Sequence, residues 1–556
     1  MYIDRSTLKT SSGKSHTRVL LRESYREKGK VKKRTLANLT ALPEQLINVI
    51  KSFLSGKPKS EESKLVNLYD VVAKTGLKFG SLFVLFTFIK RTGIIEALGK
   101  SKNASLVVWL ICARILFQGS RLKAARLAKQ YAVKSVLGLD DFNENHLYNA
   151  LDWLHGRQKE IEAALMKRNK NNTKGLFLYD VTSCYFEGED NELSFFGYNR
   201  DGKKGKKQIV IGLLTDAHGD PLSIEVFPGN TTDPTTCSDR IEEIKNKFGS
   251  DSITLVGDRG MIKGPQIKEI LGNGWNYITA ITKPQIEKML KEGPFQMSLF
   301  DVEIHEVVDG AIRYVLRKNP QRMREISKNR LEKEAKILSK AEERTKYLKE
   351  HSGASEKVAV KNVSQWVSKL KLSKWIEVYA EDRTVKIKID QEKREEAAKL
   401  DGCYVIKTNI TDSDRMTAQQ VHDRYKDLAM VEWAFRNIKT TLLENRPIYH
   451  RLEERTRAVC FISMLAYKVA RNIIGKLSGS IDELLKLMFK KISDADNQVL
   501  PLDDILRELD MIQETTLEAE KVKVPLILSP SPLGEKILLI LKVRLPIPKA
   551  PQSGVH

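Results

Sequence analysis

The sequence predicts an α/β protein built around a mixed five-stranded β-sheet. Three observations support this class. From Lys174 onward, short apolar runs separated by turn residues replace the helical spacing that precedes them. Three of these runs follow one another directly, and two more are separated by segments of helical spacing. The predicted strands are Leu176–Val181, Gln208–Thr215, Pro221–Phe227, Ile253–Gly257 and Tyr277–Thr282.

The segments between these strands set their order. Asp239–Phe248 and Ile267–Leu271 have helical spacing, so three consecutive strands are followed by helix, strand, helix and strand. That is the order of an RNase-H-like mixed sheet. Asp180 lies near the end of the first strand, and Asp258 directly follows the fourth. Carboxylates so placed are candidate ligands for Mg²⁺, which prefers oxygen ligands.

Composition narrows the class of protein. The chain has 556 residues, too many for one core, and a formal net charge of +23, which favours a polyanionic partner such as nucleic acid. Its five cysteines are scattered with no CxxC pair, which favours reduced thiols and disfavours a zinc site. No apolar run reaches the ~18 residues of a membrane helix. We therefore expect a cytoplasmic, nucleoid-associated protein with no membrane partner.

The N-terminal third looks suited to DNA. Residues 1–60 carry 14 lysines and arginines against 4 acidic residues, and two extended basic segments meet at a turn near Gly29. They predict either a DNA-backbone contact or a solvated charged arm. The helices predicted at Ala104–Phe117, Arg121–Val133 and His146–Met166 fit a DNA-binding domain or a plain bundle.

Shifts in pattern divide the chain into six segments. We predict a basic DNA-contacting region at 1–67, a helical DNA-binding domain at 68–172, the first part of the RNase-H-like core at 173–285, an inserted α+β block at 286–400, the last part of the core at 401–475, and a C-terminal helical region with a tail at 476–556.

One stretch after the inserted block, Thr417–Leu443, reads as a single helix. Thr417 and Gln420 have capping-box spacing, and Leu428, Val431, Phe435, Ile438 and Leu442 form an apolar stripe. Polar residues at helical spacing share one edge beside this stripe, namely Tyr425, Glu432, Arg436 and Lys439. For an arbitrary helix, the simpler interpretation is a solvated face with salt bridges.

Four motifs in order change that interpretation. They are LYDVTSCYFEG, GYNRDGKKGKKQIVIGLLTDAHGDPL, VGDRGMI, and DGCYVIKTN followed by YKDLAMVEWAFRNIK. With them the chain resembles the Asp-Asp-Glu transposases of bacterial insertion sequences, in the branch with a Tyr-Arg-Glu-Lys signature and an insertion before the glutamate. The resemblance implies that Asp180, Asp258 and Glu432 are catalytic and hold Mg²⁺, which Mn²⁺ can replace. Two such ions activate an attacking hydroxyl and stabilise the leaving oxygen of a phosphodiester.

The signature also has one departure. Its spacing falls on Tyr425, Leu428, Glu432 and Lys439, so a leucine on the apolar stripe stands where the family has arginine. We consider Arg436 as the substitute cation. Expected DNA-binding residues are Tyr425, Arg436 and Lys439, although Tyr425 and Lys439 also suit packing and surface roles. The basic turn of Lys203, Lys204, Lys206 and Lys207 is either a DNA-backbone contact or a solvated turn.

Together these features predict a transposase that binds the terminal inverted repeats of its element, as a homodimer on double-stranded DNA. It would cleave the ends by two-metal hydrolysis and join the freed 3′-OH to target DNA. The alternatives are an RNase-H-like metal-dependent nuclease without strand transfer, or a non-catalytic DNA-binding descendant.

Overall fold

The computed structural model describes residues 1–9, 15–27, 29–55, 72–173, 175–188, 190–238, 241, 253–301, 303–480, 483–484, 502–519 and 522–546. Contacts divide the chain into two units, one of Met1–Thr75 with Thr515–Leu526 and one of Gly76–Glu514 with Ile527–His556. The helix predicted at Asp239–Phe248 lies outside the described residues except for Ile241.

The strands are β1 (Tyr2–Lys9), β2 (Ser15–Glu27), β3 (Lys30–Asn38), β4 (Val72–Ala73), β5 (Leu77–Lys78), β6 (Leu176–Tyr185), β7 (Gln208–Asp216), β8 (Pro221–Pro228), β9 (Thr254–Gly257), β10 (Asn276–Ala280), β11 (His305–Asp309), β12 (Ile312–Lys318), β13 (Ile376–Glu381), β14 (Thr384–Ile389), β15 (Cys403–Thr408), β16 (Gln513–Ala519) and β17 (Val522–Ile527).

The helices are α1 (Glu44–Leu54), α2 (Gly80–Arg91), α3 (Ile94–Leu98), α4 (Lys102–Leu116), α5 (Arg121–Leu127), α6 (Val133–Leu137), α7 (Glu144–Thr173), α8 (Gly264–Gly272), α9 (Lys283–Glu292), α10 (Pro320–Glu350), α11 (Glu356–Lys369), α12 (Gln391–Lys399), α13 (Ala418–Lys426), α14 (Leu428–Arg436), α15 (Glu453–Leu477), α16 (Leu502–Asp510) and α17 (Pro532–Ile540). A π turn covers Asn437–Thr441, directly after α14.

The unit containing the N-terminus is built on a small antiparallel sheet in the order β1-β2-β3. Gly29, with φ +76°, forms the turn between β2 and β3, a left-handed conformation that glycine adopts without steric cost. The two extended basic segments predicted from the sequence are thereby confirmed. Helix α1 packs on β1, and the small apolar core includes Val19, Leu39 and Ile47.

The other unit contains the main sheet, whose order is β11-β12-β15-β10-β9-β6-β7-β8. Only the pairs β6–β9 and β9–β10 are parallel, so the sheet is mixed, as predicted. All five predicted strands are present. The sheet is longer than expected because β15 and the β11–β12 hairpin extend it beyond β10. The hairpin lies inside the segment predicted to be an insertion.

Both faces of the main sheet are buried along β6 and β7. Along β6, Leu176 and Leu178 pack into one apolar cluster and Phe177 and Tyr179 into another, as the twofold period of a strand requires. All nine residues of β7 are buried. Asp180 lies four positions after Leu176 and two after Leu178, so its side chain is on the same face of β6 as theirs. It therefore lies on the face of β6 covered by α14 and α15.

The helical segment before the sheet belongs to the same unit. The three helices predicted there are confirmed, although the second ends early: α5 stops at Leu127 and a 3₁₀ turn follows. Helices α4 and α7 pack against α15. Within the described residues, Glu453–Ser480 is long and apolar enough to cross a membrane, and a bent pair, Lys102–Leu116 with Arg121–Gln130, would also pass that test. Because 78% of an apolar 18-residue stretch within Glu453–Ser480 is buried in the protein, we interpret it as a core helix.

Residues 319–402 form a block with a core of its own. Helices α10 and α11 pack on the β13–β14 hairpin around Ile337, Val363 and Trp375. The alternating strands predicted there are confirmed. The chain leaves the main sheet after Lys318 and returns at Cys403, and these two residues are paired neighbours on β12 and β15.

Candidate active site

The first predicted carboxylate, Asp180, stands on the central strand β6. Its Oδ1 accepts a hydrogen bond from the Val181 backbone N–H at 2.8 Å. Burial raises the pKa of Asp180 to about 7, with smaller contributions in the same direction from Asp258 and Glu432. The charges of Asp258 and Glu432 therefore lie close enough to Asp180 to disfavour its ionised form.

Strand register brings Asp258 to Asp180. Strands β6 and β9 are parallel, with Tyr179 paired to Gly257, so the residues that follow each of these lie side by side. Neighbouring strands lie roughly 4.8 Å apart. Asp258 ends its strand and is exposed, whereas Asp180 is half-buried. The sheet thus presents two carboxylates at one level, the inner one less able to carry its charge.

Glu432 reaches this pair from the packed helices. The capping box of Thr417 and Gln420 is present at the start of α13, as predicted. The predicted single helix is instead interrupted at Asp427, although the backbone of that residue remains right-handed helical. Helix α14 packs on β6 and β7, which places exposed Glu432 near Asp180.

Tyr425 completes this side of the site. Its hydroxyl donates a long hydrogen bond, 3.4 Å, to Oδ1 of Asp258. Burial and then the charge of Asp258 raise the pKa of the phenol, with a smaller contribution from Glu432. Tyr425 and Glu432 therefore share an edge beside the carboxylates, as the helical spacing predicts.

The donor set suits a hard divalent cation. Carboxylate oxygens are the ligands that Mg²⁺ prefers, and an acid with a raised pKa beside two like charges is stabilised in its ionised form by a cation. No three Asp, Glu, His or Cys side chains converge tightly enough to ligate one ion among the residues the structure describes.

Lys439 lies elsewhere than helical spacing predicts. Its side chain is 11% exposed, and its Nζ lies 2.6 Å from Oδ1 of Asp201, 3.1 Å from Oγ1 of Thr182 and 2.8 Å from the Ser183 carbonyl oxygen. A π turn closes i to i+5 bonds and so rotates the residues beyond Arg436 relative to an α-helix. The expected common edge holds Tyr425 and Glu432 but not Lys439.

Leu428 and Arg436 occupy opposite surroundings. Leu428 is 8% exposed and packs with Val431 and Phe435 in the main core, so the leucine at the signature position faces inward, as its place on the stripe predicts. Arg436 is exposed at the end of α14. Its guanidinium has no ion-pair or hydrogen-bond partner among the described residues and faces solvent.

The basic turn between β6 and β7 is exposed at all four lysines, Lys203, Lys204, Lys206 and Lys207. Positive φ angles at Gly202 and Gly205 shape it. Lys206 pairs with Glu187 at 2.7 Å, and the ammonium of Lys203 lies over the Tyr185 ring at 5.7 Å. The turn lies beyond the C-terminal end of β6, which runs on to Tyr185, so Asp180 stands in the middle of the strand and not near its end as the sequence predicts.

Two charged residues at the site were not singled out from the sequence. Arg200 Nη2 donates to both carboxylate oxygens of Asp233 at 2.6 Å, and its charge opposes the raised pKa of Asp180. The Oδ2 atoms of Asp233 and Asp258 lie 3.6 and 3.7 Å from where a β-carbon would stand on Gly260. Arg200 adjoins the basic turn within a quoted motif, which was the available signal. Asp233 lies in a polar segment after β8 that carried none.

Comparisons with known proteins identify the family of this chain. A family described as "Transposase DDE domain" matches residues 171–468, more than half of the 556-residue chain. A second, "IS1634 family transposase, N-terminal domain", matches residues 3–64. No curated protein gave a significant match. A solved structure, the cryo-EM structure of the piggyBac transposase synaptic complex with hairpin DNA, is similar at 10% identity and a TM-score of 0.36 over 78% of each chain. The chain belongs to the DDE-domain transposases of bacterial insertion sequences.

Proposed function

We propose that this transposase binds the terminal inverted repeats of its insertion sequence, cleaves the ends hydrolytically and joins the 3′-OH to target DNA. The observation that carries the proposal is the convergence of Asp180 and Asp258 from parallel strands with Glu432 from α14. These three side chains would hold Mg²⁺ or Mn²⁺. Such ions supply an activated hydroxyl and stabilise the leaving oxygen of a phosphodiester.

The surrounding residues have separate roles in this proposal. Tyr425 orients Asp258 through its hydroxyl, and Arg200 holds Asp233 beside the same carboxylate. Lys439, with its ammonium committed to Asp201, fixes the turn that carries Arg200 and the basic lysines. It acts as a positioning residue through Asp201, and DNA contact falls to groups that face solvent.

The DNA surface comprises groups on both sides of the site. Exposed Arg436 and the half-buried phenol of Tyr425 contribute from the helices, and the exposed basic turn Lys203, Lys204, Lys206 and Lys207 contributes from the sheet. The basic β2–β3 hairpin contacts the backbone of the transposon end. We further propose that the protein is a homodimer when bound to double-stranded DNA and acts in the cytoplasm, with no membrane partner.

The test is a nicking and joining assay with full-length protein. A labelled fragment carrying the transposon end is incubated in Mg²⁺ with a target plasmid. We expect nicking and then joined product. Asp180→Asn, Asp258→Asn and Glu432→Gln should each lower nicking more than about a hundredfold, since even indirect partners of metal ligands cost 10–100-fold. Gel shifts should show unchanged end binding.

Asp414→Asn, an exposed carboxylate between β15 and α13, is the matched control and should cleave normally. Nicking without joined product would replace the proposal with a metal-dependent nuclease. End binding without any nicking would make the chain a non-catalytic descendant. Near-normal cleavage by a variant of Asp180, Asp258 or Glu432 would show that the replaced residue is not part of the site.

A further inference from the structure

A cavity away from the carboxylates is lined by an excess of cations. It has a volume of about 630 Å³ and lies between the start of α5 and the segment 444–455. Five arginines line it against a single acidic residue, Glu444; they are Arg114, Arg121, Arg446, Arg451 and Arg455. This volume suits a small ligand or one residue of a polymer.

Two of these arginines are deeply buried, and their guanidinium groups make few hydrogen bonds with the described residues. Arg114 and Arg121 are each 9% exposed. Arg114 donates only a long bond, 3.4 Å, to the Leu443 carbonyl oxygen, and Arg121 donates to the Gly119 carbonyl oxygen at the same distance. The Nε of Arg121 is buried with no hydrogen-bond partner among the described residues. Buried charges in proteins are normally paired. In the described part of the chain neither guanidinium has a salt bridge, and Glu444 and Glu144 favour their charged forms only from a greater distance.

Two of the other arginines that line the cavity do have acidic partners. Arg446 pairs with Asp201, and Arg455 with Asp152 at 2.8 Å. Within the described ranges, no carboxylate lies within salt-bridge distance of Arg114, Arg121 or Arg451. Burial, and then Arg121 and Arg114, lower the pKa of His450 to about 3, and its buried Nδ1 also lacks a partner in the described chain. The cavity therefore holds a positive potential and unsatisfied hydrogen-bonding groups together.

We propose that this cavity binds a phosphate group, and that in the working protein the phosphate belongs to a DNA strand. Arginine presents a planar fork of donors that matches phosphate oxygens. Arg446 pairs with Asp201, which also holds Lys439, so a buried ion-pair network joins the cavity wall to the turn between β6 and β7. The DNA part of the proposal rests on the proposed function. The phosphate part does not.

The test compares full-length variants in phosphate-free buffer. Arg121→Gln removes the buried group, and Arg451→Gln removes an exposed lining arginine at little risk to folding. Arg126→Gln is the matched control, because Arg126 is exposed on the same helix α5 outside the cavity. Calorimetry measures binding of inorganic phosphate against chloride at equal ionic strength. Gel shifts measure a short random-sequence duplex over a salt series.

We expect Arg121→Gln and Arg451→Gln to weaken phosphate binding at least tenfold and to lower the log–log salt slope for duplex binding by about one. Arg126→Gln should keep wild-type phosphate binding. Without phosphate, Arg121→Gln should melt no lower than wild type, because an unpaired buried charge is gone.

Normal phosphate and duplex binding by Arg451→Gln, and by Arg121→Gln where it folds, overturns the proposal. Loss of phosphate binding with unchanged duplex binding overturns the DNA part and assigns the cavity to a small phosphorylated ligand. Phosphate binding by a wild type that never nicks DNA would instead refute the proposed function and leave the cavity assignment standing.

Discussion

The carboxylate site and the arginine cavity are two clusters of like charge with opposite signs. Burial is the main cause of a raised pKa, about 7, at Asp180 and of a lowered pKa, about 10, at Arg114, and like-charged neighbours add to each shift. They differ in access. Asp258 and Glu432 are exposed, whereas Arg114 and Arg121 are 9% exposed. The first cluster is open to an ion from solvent, whereas two cations of the second lie deep in the protein.

The largest stability effect is expected where opposite charges are already paired. Lys439→Ala should lower the free energy of unfolding by about 3–5 kcal/mol, because it leaves Asp201 buried with one cation fewer. Lys203→Ala, on the exposed turn that follows Asp201, is the control and should change stability by less than about 0.5 kcal/mol. Urea denaturation measures both. Equal effects would mean that the buried pair contributes nothing specific.

Asp180→Asn should raise the free energy of unfolding of the metal-free protein, whereas Lys439→Ala lowers it. The folded pKa of about 7 lies above the ordinary carboxyl value of ~3.9, so the folded state binds the proton more tightly than the unfolded state. Stability from this group is therefore present below about pH 4 and is lost as the pH rises to about 7. At pH 8 the loss amounts to at most about 4 kcal/mol. Replacing the carboxylate with the neutral amide of asparagine should abolish this loss of stability.

Unfolding in EDTA between pH 5 and 8 measures this effect as the difference between wild type and Asp180→Asn. Asp414→Asn should follow wild type throughout. Added Mg²⁺ should stabilise wild type at pH 8 and leave Asp180→Asn unchanged. Parallel pH curves for wild type and the variant would show that Asp180 is not strained by its neighbours.

The next largest effect on stability is expected when a charge is introduced into the apolar core. Leu428→Arg should destabilise the protein by about 2–4 kcal/mol, because it replaces a core leucine with an unpaired cation. Ala429→Arg, one residue later and exposed, is its control and should melt like wild type. A Leu428→Arg protein that melts like wild type and binds ends more tightly would show that position 428 faces DNA.

The smallest stability effect belongs to the solvated lysines. Lys203→Gln with Lys204→Gln should leave the melting temperature unchanged and lower the log–log salt slope of end binding by about 0.9 for each phosphate that the variant no longer neutralises. Lys346→Gln with Lys349→Gln removes the same charge from exposed positions on α10 and serves as control. Equal slopes for the two double variants would make the basic turn a solvated one.

Local patterns predict most of the central sheet and the order of its carboxylates. The strands β6 to β10 alternate or run apolar between turn residues, and Asp180 and Asp258 fall at strand positions that parallel pairing brings together. The same patterns assign the edge hairpin β11–β12 to the insertion, because its pairing with β15 depends on distant residues.

Other features depend on geometry that spacing does not encode. Lys439 turns inward because five residues close a π turn where the spacing predicts a continuous α-helix. The arginine cavity has no signal in the sequence because its walls are far apart in the chain: Arg114 and Leu443, which are hydrogen-bonded there, are 329 positions apart. Only the folded chain shows that the arginines on these walls lie together, so that their positive charges add.

The pairing of Lys318 with Cys403 has a consequence for how this protein is put together. Residues 319–402 leave and rejoin the main sheet at neighbouring positions of two antiparallel strands, which a tight two-residue turn is able to join. The block also has its own apolar centre. The block is therefore inserted between neighbouring ends of two strands, a geometry in which connections of very different length can join β12 to β15.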